Sequence, residues 1–245
     1  GVEGEPQEGR IPIAKFMEDG VYRVDRHVGD NYGYIDKKDF REDPEANPIA
    51  TNSGKVEFYC QTWADCLNSH GYSDEPYSPI PKYRACAQGF EETFVDGDIA
   101  GEKTDFPLQC INPHYQRRSH SIFDNIPWLR EACANPFFMS KQDAEERGIA
   151  DGDTVKISSK YGETLRPASV TARMMPGVVG LPHGAWVRVD ENDGVDHGGS
   201  ENYITGNVAT GMGVDGYNTL NVQVEKWDGD PLPADKDVPQ TILFD

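Results

Sequence analysis

The sequence predicts a mainly β fold with flanking helices, in which a closed β-barrel in the second half follows an irregular α+β segment. From Pro107 onward, short apolar runs alternate with frequent glycine turns, the pattern of barrel strands. Two stretches in that half, "NIPWLREAC" and "SKQDAEERG", carry helix punctuation and are expected outside the barrel. Residues 1–106 are instead rich in Pro, Gly, Tyr and acids, with few punctuated elements, and do not read as a self-contained domain. The expected divisions are therefore 1–106, 107–227 and a loosely held acidic, Pro-rich tail at 228–245. With 37% hydrophobic residues in 245, the chain has enough apolar material to bury a core.

In the first segment, "IAKFMEDG" predicts a short amphipathic helix closed by Gly20, and "VYRV" a short strand. "SGKVEFYC" predicts a strand that runs into the helical turn "QTWADCLN". From His70 to Phe106 the chain reads as loop, long enough to suggest that it wraps a neighbouring surface. In the second segment "PLQCIN" is a buried strand. A helix around "NIPWLREAC" follows, with Asn125 as its expected cap and Asn135-Pro136 ending it. "PFFMS" is a short apolar strand leading to the second helix, where Ser140 is the N-cap, Asp143 its acidic partner three residues on, and Gly148 the stop. "DGDTVKISSKYGETLRPASVTA" gives two strands about a glycine turn, "MMPGVVGLPHGAW" a turn and a strand, and "TLNVQVEKW" the last strand.

The formal net charge of −19 argues against binding nucleic acid or anionic lipid through general attraction. No apolar run approaches the ~20 residues of a membrane-spanning helix, and "GVEGEPQEGR" has no apolar core of a signal peptide. The five cysteines are scattered without a C-x-x-C pair, so no metal site is expected among them, and they read as buried or half-buried free thiols. Against the acidic background, "HYQRRSHS" at the end of a strand sets two arginines beside two histidines with no acid. It reads either as a solvated loop paired with distant carboxylates or as a local anion site, in which Arg offers a planar donor fork and Ser and His add neutral partners. A hydrolase lacks its G-x-S-x-G elbow here, and the glycines of "DHGGSENYITGNVATGMG" lack the strand–helix context of a nicotinamide loop.

Five stretches in order, "FPLQCINPHYQRRSHS", "NPFFMSKQDAEERGIADGDTVKISSKYGE", "RMMPGVVGLPHGAW", "GGSENYIT" and "YNTLNVQVEK", resemble the C-terminal cofactor domain of the dimethyl sulfoxide reductase family. "DPEANPIATNSGKVEFYC" is similar to the family segment just upstream. The resemblance implies a six-stranded double-psi β-barrel of the aspartate-decarboxylase-like kind that covers one face of a bis(molybdopterin guanine dinucleotide) cofactor.

Carried over by motif, His114, Arg118, His120 and Ser121 would contact pterin and phosphate, and Asn202 the dinucleotide, with Asn218 in "YNT" beside it. The family's guanine-contacting N-P-x-D-A falls on "MSKQDA", which keeps Asp143 and has Ser140-Lys141 in place of Asn-Pro. No catalytic residue and no metal ligand is implied within this chain. It would be the C-terminal part of a longer molybdenum oxidoreductase acting on S- or N-oxides, with the cofactor lacking and activity absent in the isolated fragment.

The partners implied are upstream domains of the same polypeptide, an iron–sulfur electron-transfer subunit and a membrane anchor subunit, at a periplasmic or other extracytoplasmic face. The alternatives are a stand-alone double-psi recognition module without redox function, and a decarboxylase-like or formyl-methanofuran-type enzyme sharing the barrel. The clustered His114, Arg118 and His120 speak against the first.

Overall fold

The computed structural model describes residues 11–21, 35–71, 78–207 and 219–238. They fall into two compact units, residues 1–65 and 66–245. In the first, helix α1 (Ile13–Asp19) ends where Gly20 takes the left-handed conformation (φ 72°) and returns its N–H to the Phe16 carbonyl. Helix α2 covers Lys38–Glu42. All but Val21 of "VYRV" lies outside the described residues.

The strand expected at "SGKVEFYC" does not form; residues 53–60 are turns and bends with Val56 and Phe58 exposed. Local polar groups capture the backbone there instead: the Thr51 hydroxyl donates to the Lys55 carbonyl (2.6 Å), and the Ser53 N–H donates to the Glu57 carboxylate (2.8 Å). Such side-chain bonds compete with strand pairing. The helical turn that follows is helix α3 (Gln61–Ser69).

In the second unit the described residues of the loop through residue 106 carry two 3₁₀ turns, Glu91–Thr93 and Val95–Gly97, and a bridge between Phe94 and Lys103. Then come strands β1 (Leu108–Ile111), β2 (Phe137–Met139), β3 (Thr154–Ser158), β4 (Glu163–Val170), β5 (Val178–Gly180) and β6 (Leu220–Lys226). They close a barrel in the order β1-β5-β2-β4-β3-β6. β1 runs parallel to β5 and β2 parallel to β4, and the other four pairings are antiparallel. This is a six-stranded double-psi β-barrel. Alternation along the strands turns Leu108 and Cys110, Val155 and Ile157, and Leu220, Val222 and Val224 into one apolar core with Phe137, Met139 and Leu181. Burial pushes the Cys110 thiol up to about 12, so it packs as a small apolar group.

Helix α4 (Pro127–Ala132) starts one residue later than its expected cap. The N-cap is Ile126 rather than Asn125, and no side chain caps it; Pro127 at the first helical position, with its φ already set, fixes the start. The helix closes at Cys133, before Asn135-Pro136. Helix α5 (Lys141–Glu146) begins as the sequence predicts, the Ser140 hydroxyl accepting from the Asp143 N–H at 3.0 Å.

Two further expectations need correction. Cys60, Cys66 and Cys86 are exposed rather than buried, because they lie in irregular segments and a short helix outside the barrel core. The tail is held through residue 238. Leu232 N–H donates to the Thr154 hydroxyl (3.0 Å), Asp235 pairs with buried Arg117, and Arg130 donates to the Val238 carbonyl (3.2 Å). One acid, Asp235, and two backbone groups hold the described part of the tail.

Candidate functional site

Because β1 and β5 are parallel, their carboxyl ends leave the barrel side by side, and two loops start from one rim. Leu181 N–H donates to the Ile111 carbonyl (2.9 Å), His183 N–H to the Pro113 carbonyl (3.2 Å), and the Asn112 amide to the Leu181 carbonyl (3.2 Å). This lacing stacks "NPH" on "LPH". The rings of His114 and His183 lie 4.3 Å apart edge to face, and His120 stacks on His183 at 5.2 Å. His120 sits in the left-handed region (φ 55°), and Gly184 at φ 90° lies so close that a Cβ there would come 1.8 Å from the His120 carbonyl oxygen. A third segment, the 3₁₀ turn Glu201–Tyr203, is tied in by the Gly184 N–H donating to Glu201 Oε1 (2.8 Å).

The three segments enclose a cavity of about 390 Å³, lined by Asn112, His114, His120, Ser121, His183, Gly184, Glu201, Asn202 and Thr205. Four residues expected at the site, His114, His120, Ser121 and Asn202, thus share one cavity although the chain separates them by more than 80 positions. Two buried acceptors in the lining residues, Asn112 Oδ1 and Glu201 Oε2, have no hydrogen-bond donor. Such orphans are uncommon and costly unless a partner arrives.

Arg118 is not among the lining residues. Its guanidinium is buried, donating from Nε to Asp124 (2.5 Å), from Nη2 to Asn135 Oδ1 (2.6 Å) and from Nη1 to the His183 carbonyl (3.4 Å). Arg117 pairs with the same Asp124 oxygen at 2.6 Å, while the other oxygen accepts from Trp186 N–H (3.0 Å). Burial alone would raise the Asp124 carboxyl, but the Arg118 charge and the donors from Arg117 and Trp186 hold it below the usual carboxylate range. Burial in turn lowers Arg118 against that attraction. The arginines of the quoted loop find their acid seven and six residues on, and the pair shapes the loop from behind.

Deeper still lies Arg166, fully buried, with burial pushing it down to about 9. Its Nε donates to the Gly199 carbonyl (2.7 Å), Nη1 to Pro136 (3.2 Å) and Nη2 to Pro182 (2.6 Å). Asp196, also fully buried, accepts from Arg188, Gly198 and Ser200 N–H groups and from the Thr164 hydroxyl. One strand, β4, therefore sends Thr164 and Arg166 out to fix the loops around the cavity.

Ser140 and Asp143 lie elsewhere. The Ser140 hydroxyl donates to Asp143 Oδ2 (2.6 Å), and the same carboxylate accepts the Gly177 N–H (3.0 Å) at the entry of β5. Gly177 and His183 bracket that strand, which at about 3.3 Å per residue sets them up to about 20 Å apart. Two groups of expected residues thus mark opposite ends of β5. Asn218 lies outside the described residues.

Sequence reasoning missed Asn112, His183 and Glu201. The available signals were a polar residue directly after β1 and a His-Gly pair closing the run after β5.

The class defined by these observations is a double-psi β-barrel with a polar, histidine-rich cavity at its rim. The barrel resembles part of acetylene hydratase from Pelobacter acetylenicus, with a TM-score of 0.54 at 18% identity over 76% of this chain and 25% of that one, a likeness of fold. Residues 108–218 match the family described as "Molydopterin dinucleotide binding domain". The chain is 35% identical over 214 residues to dimethyl sulfoxide reductase DmsA of Escherichia coli (strain K12), covering 86% of this chain and 25% of that protein. It is 36% identical over 192 residues to DmsA of Haemophilus influenzae, covering 78% and 22%. The chain belongs to the dimethyl sulfoxide reductase family as a molybdopterin-dinucleotide-binding domain, and it spans about a quarter of the length of these relatives.

Proposed function

We propose that this chain is the cofactor-holding portion of a longer oxidoreductase that carries molybdenum on bis(molybdopterin guanine dinucleotide) and reduces S- or N-oxides. The observation that carries the proposal is the convergence of residues 112–121, 181–184 and 201–205 on one cavity whose donor set suits a polar heterocycle. Its volume lies within the ~300–1,000 Å³ usual for small-molecule sites. The residues fit the group: Asn112 Oδ1 and Glu201 Oε2 want donors, and a pterin ring carries amino and lactam N–H groups.

His114, His120 and His183 would bracket that ring, Ser121 and Asn202 would add hydrogen bonds, and Arg118 would act indirectly by fixing the loop through Asp124 and Asn135. At the other end of β5, Ser140 and Asp143 would meet the guanine, whose paired N–H donors suit one carboxylate. When bound, the cofactor supplies two-electron, oxygen-atom-transfer chemistry at molybdenum, and this chain's part is to bind and orient it. Names such as dimethyl sulfoxide reductase and trimethylamine-N-oxide reductase among the relatives support the substrate class. An iron–sulfur partner subunit, a membrane anchor subunit and an extracytoplasmic site complete the reading.

The test is the complete protein with His114→Ala and His120→Ala. Molybdenum and pterin per polypeptide should both fall at least ten-fold while the melting temperature of the cofactor-free protein holds. Full occupancy in both variants would refute the placement of the cofactor in this cavity.

A further inference from the structure

Glu201 has two different carboxylate oxygens. Oε1 is committed to the fold through the Gly184 N–H at 2.8 Å, whereas Oε2 is buried with no donor, although the residue lines the cavity. Asn112, another lining residue, repeats the arrangement: its amide donates to the Leu181 carbonyl, and its Oδ1 is without a partner. Leaving two buried acceptors unmet is costly, so the arrangement is explained best by a ligand that brings donors. A phosphate brings none and would be repelled by a carboxylate. The ligand edge facing these residues therefore carries N–H groups.

We infer that Glu201, with Asn112, reads the donor edge of a 2-amino-4-oxopyrimidine ring held in the histidine cavity. This rests on the cofactor reading above and assigns a residue and an orientation to it. With Oε1 held by the Gly184 N–H, Oε2 is the Glu201 oxygen left for a ligand donor. Glu201 Oε2 would accept a charge-assisted bond from the ring's amino group or N–H, and Asn112 Oδ1 a further one. Arg118 and Arg166 lie close enough for the Glu201 charge to act on both. The same edge occurs in pterin and in guanine, and the three histidines favour neither.

The experiment uses the complete protein. Glu201→Gln keeps an oxygen for the Gly184 N–H but sets an amide donor against the ligand's donors. Cofactor occupancy, measured as released pterin and as molybdenum per polypeptide, should fall at least ten-fold with an unchanged melting temperature of the cofactor-free form. Full occupancy in Glu201→Gln alongside loss in His120→Ala would overturn the role of Glu201 and leave the cavity reading standing. Full occupancy in both would overturn both.

A second arm needs no variant. Cofactor-free wild-type protein is titrated with 6-hydroxymethylpterin, guanosine monophosphate and lumazine, in which an oxo group replaces the pterin's amino group. Binding of the pterin or of the nucleotide at least ten-fold tighter than lumazine, with shifts of the histidine ring resonances, supports the inference, and the tighter of the two identifies the source of the edge. Equal binding of lumazine overturns it.

Discussion

Replacing Asp124 by Asn tests whether the buried arginine pair is the frame of the cavity. The Asp124 side chain is 6% exposed, and those of Arg117 and Arg118 are 1% exposed. Asn keeps one acceptor but removes the shared anion, and its amide must face either a guanidinium or the Trp186 N–H. Arg117 retains Asp235, so the loss falls mainly on Arg118, whose other partners, Asn135 and the His183 carbonyl, are neutral. Stranding one buried cation costs about 3–5 kcal/mol. At about 2–4 °C per kcal/mol for a chain of this size, the melting temperature should fall by roughly 6–20 °C.

Urea denaturation followed by circular dichroism reads the change. Adding Arg118→Met to Asp124→Asn should recover part of the loss, a coupling above about 1 kcal/mol. The pH arm has a definite sign. Asp124 has a lowered folded pKa, so its contribution is full above the unfolded value of about 3.9 and fades as pH falls through the folded one. The variant should lack that acid arm. A loss below about 1 kcal/mol, the range of exposed pairs, with no coupling and an unchanged acid arm, would refute the reasoning.

Gly184→Ala forces a Cβ to within 1.8 Å of the His120 carbonyl oxygen at φ 90°; a destabilisation of at least about 2 kcal/mol is expected in urea, and wild-type stability would show that the two loops are not in that contact. Asp235→Ala removes the tail's ion pair with Arg117; about 1–2 kcal/mol should be lost, discounted for partial exposure, and limited proteolysis should cut after residue 227 faster than in the wild type. An unchanged cleavage pattern would show that the tail holds without it. The net charge of −19 repels itself, so raising sodium chloride from about 0.1 M to about 1 M, which shortens the screening length from about 10 Å to about 3 Å, should raise the melting temperature; a fall would contradict this.

All six barrel strands were legible because alternation and glycine turns are local signals, and so was the start of α5, where Ser140 and Asp143 bond each other. The closing order was not, since the pairing of β1 with β5 depends on contacts about 70 positions apart. "SGKVEFYC" has strand composition but also the Thr, Ser and Glu side chains that captured its backbone. His114, His120, Ser121 and Asn202, grouped by motif, line one cavity. Arg118 shows the limit: its residue type suited an anion, and only the fold reveals that Asp124, six residues on, already supplies one. Glu201 was passed over because a single acid in an acidic chain carries no signal until one of its oxygens is seen to be unmet.

Arg166 has a consequence for how the protein opens. Its guanidinium starts inside β4 and ends on the carbonyls of Pro136, Pro182 and Gly199, so these loops cannot move away while the barrel stays shut. Rim loops of many proteins fluctuate well below the energy of global unfolding, but here the segments at Pro136, Pro182 and Gly199 are bonded to a fully buried barrel residue. Amide hydrogens around Gly184 and Ser200 should then exchange at the pace of β4 itself.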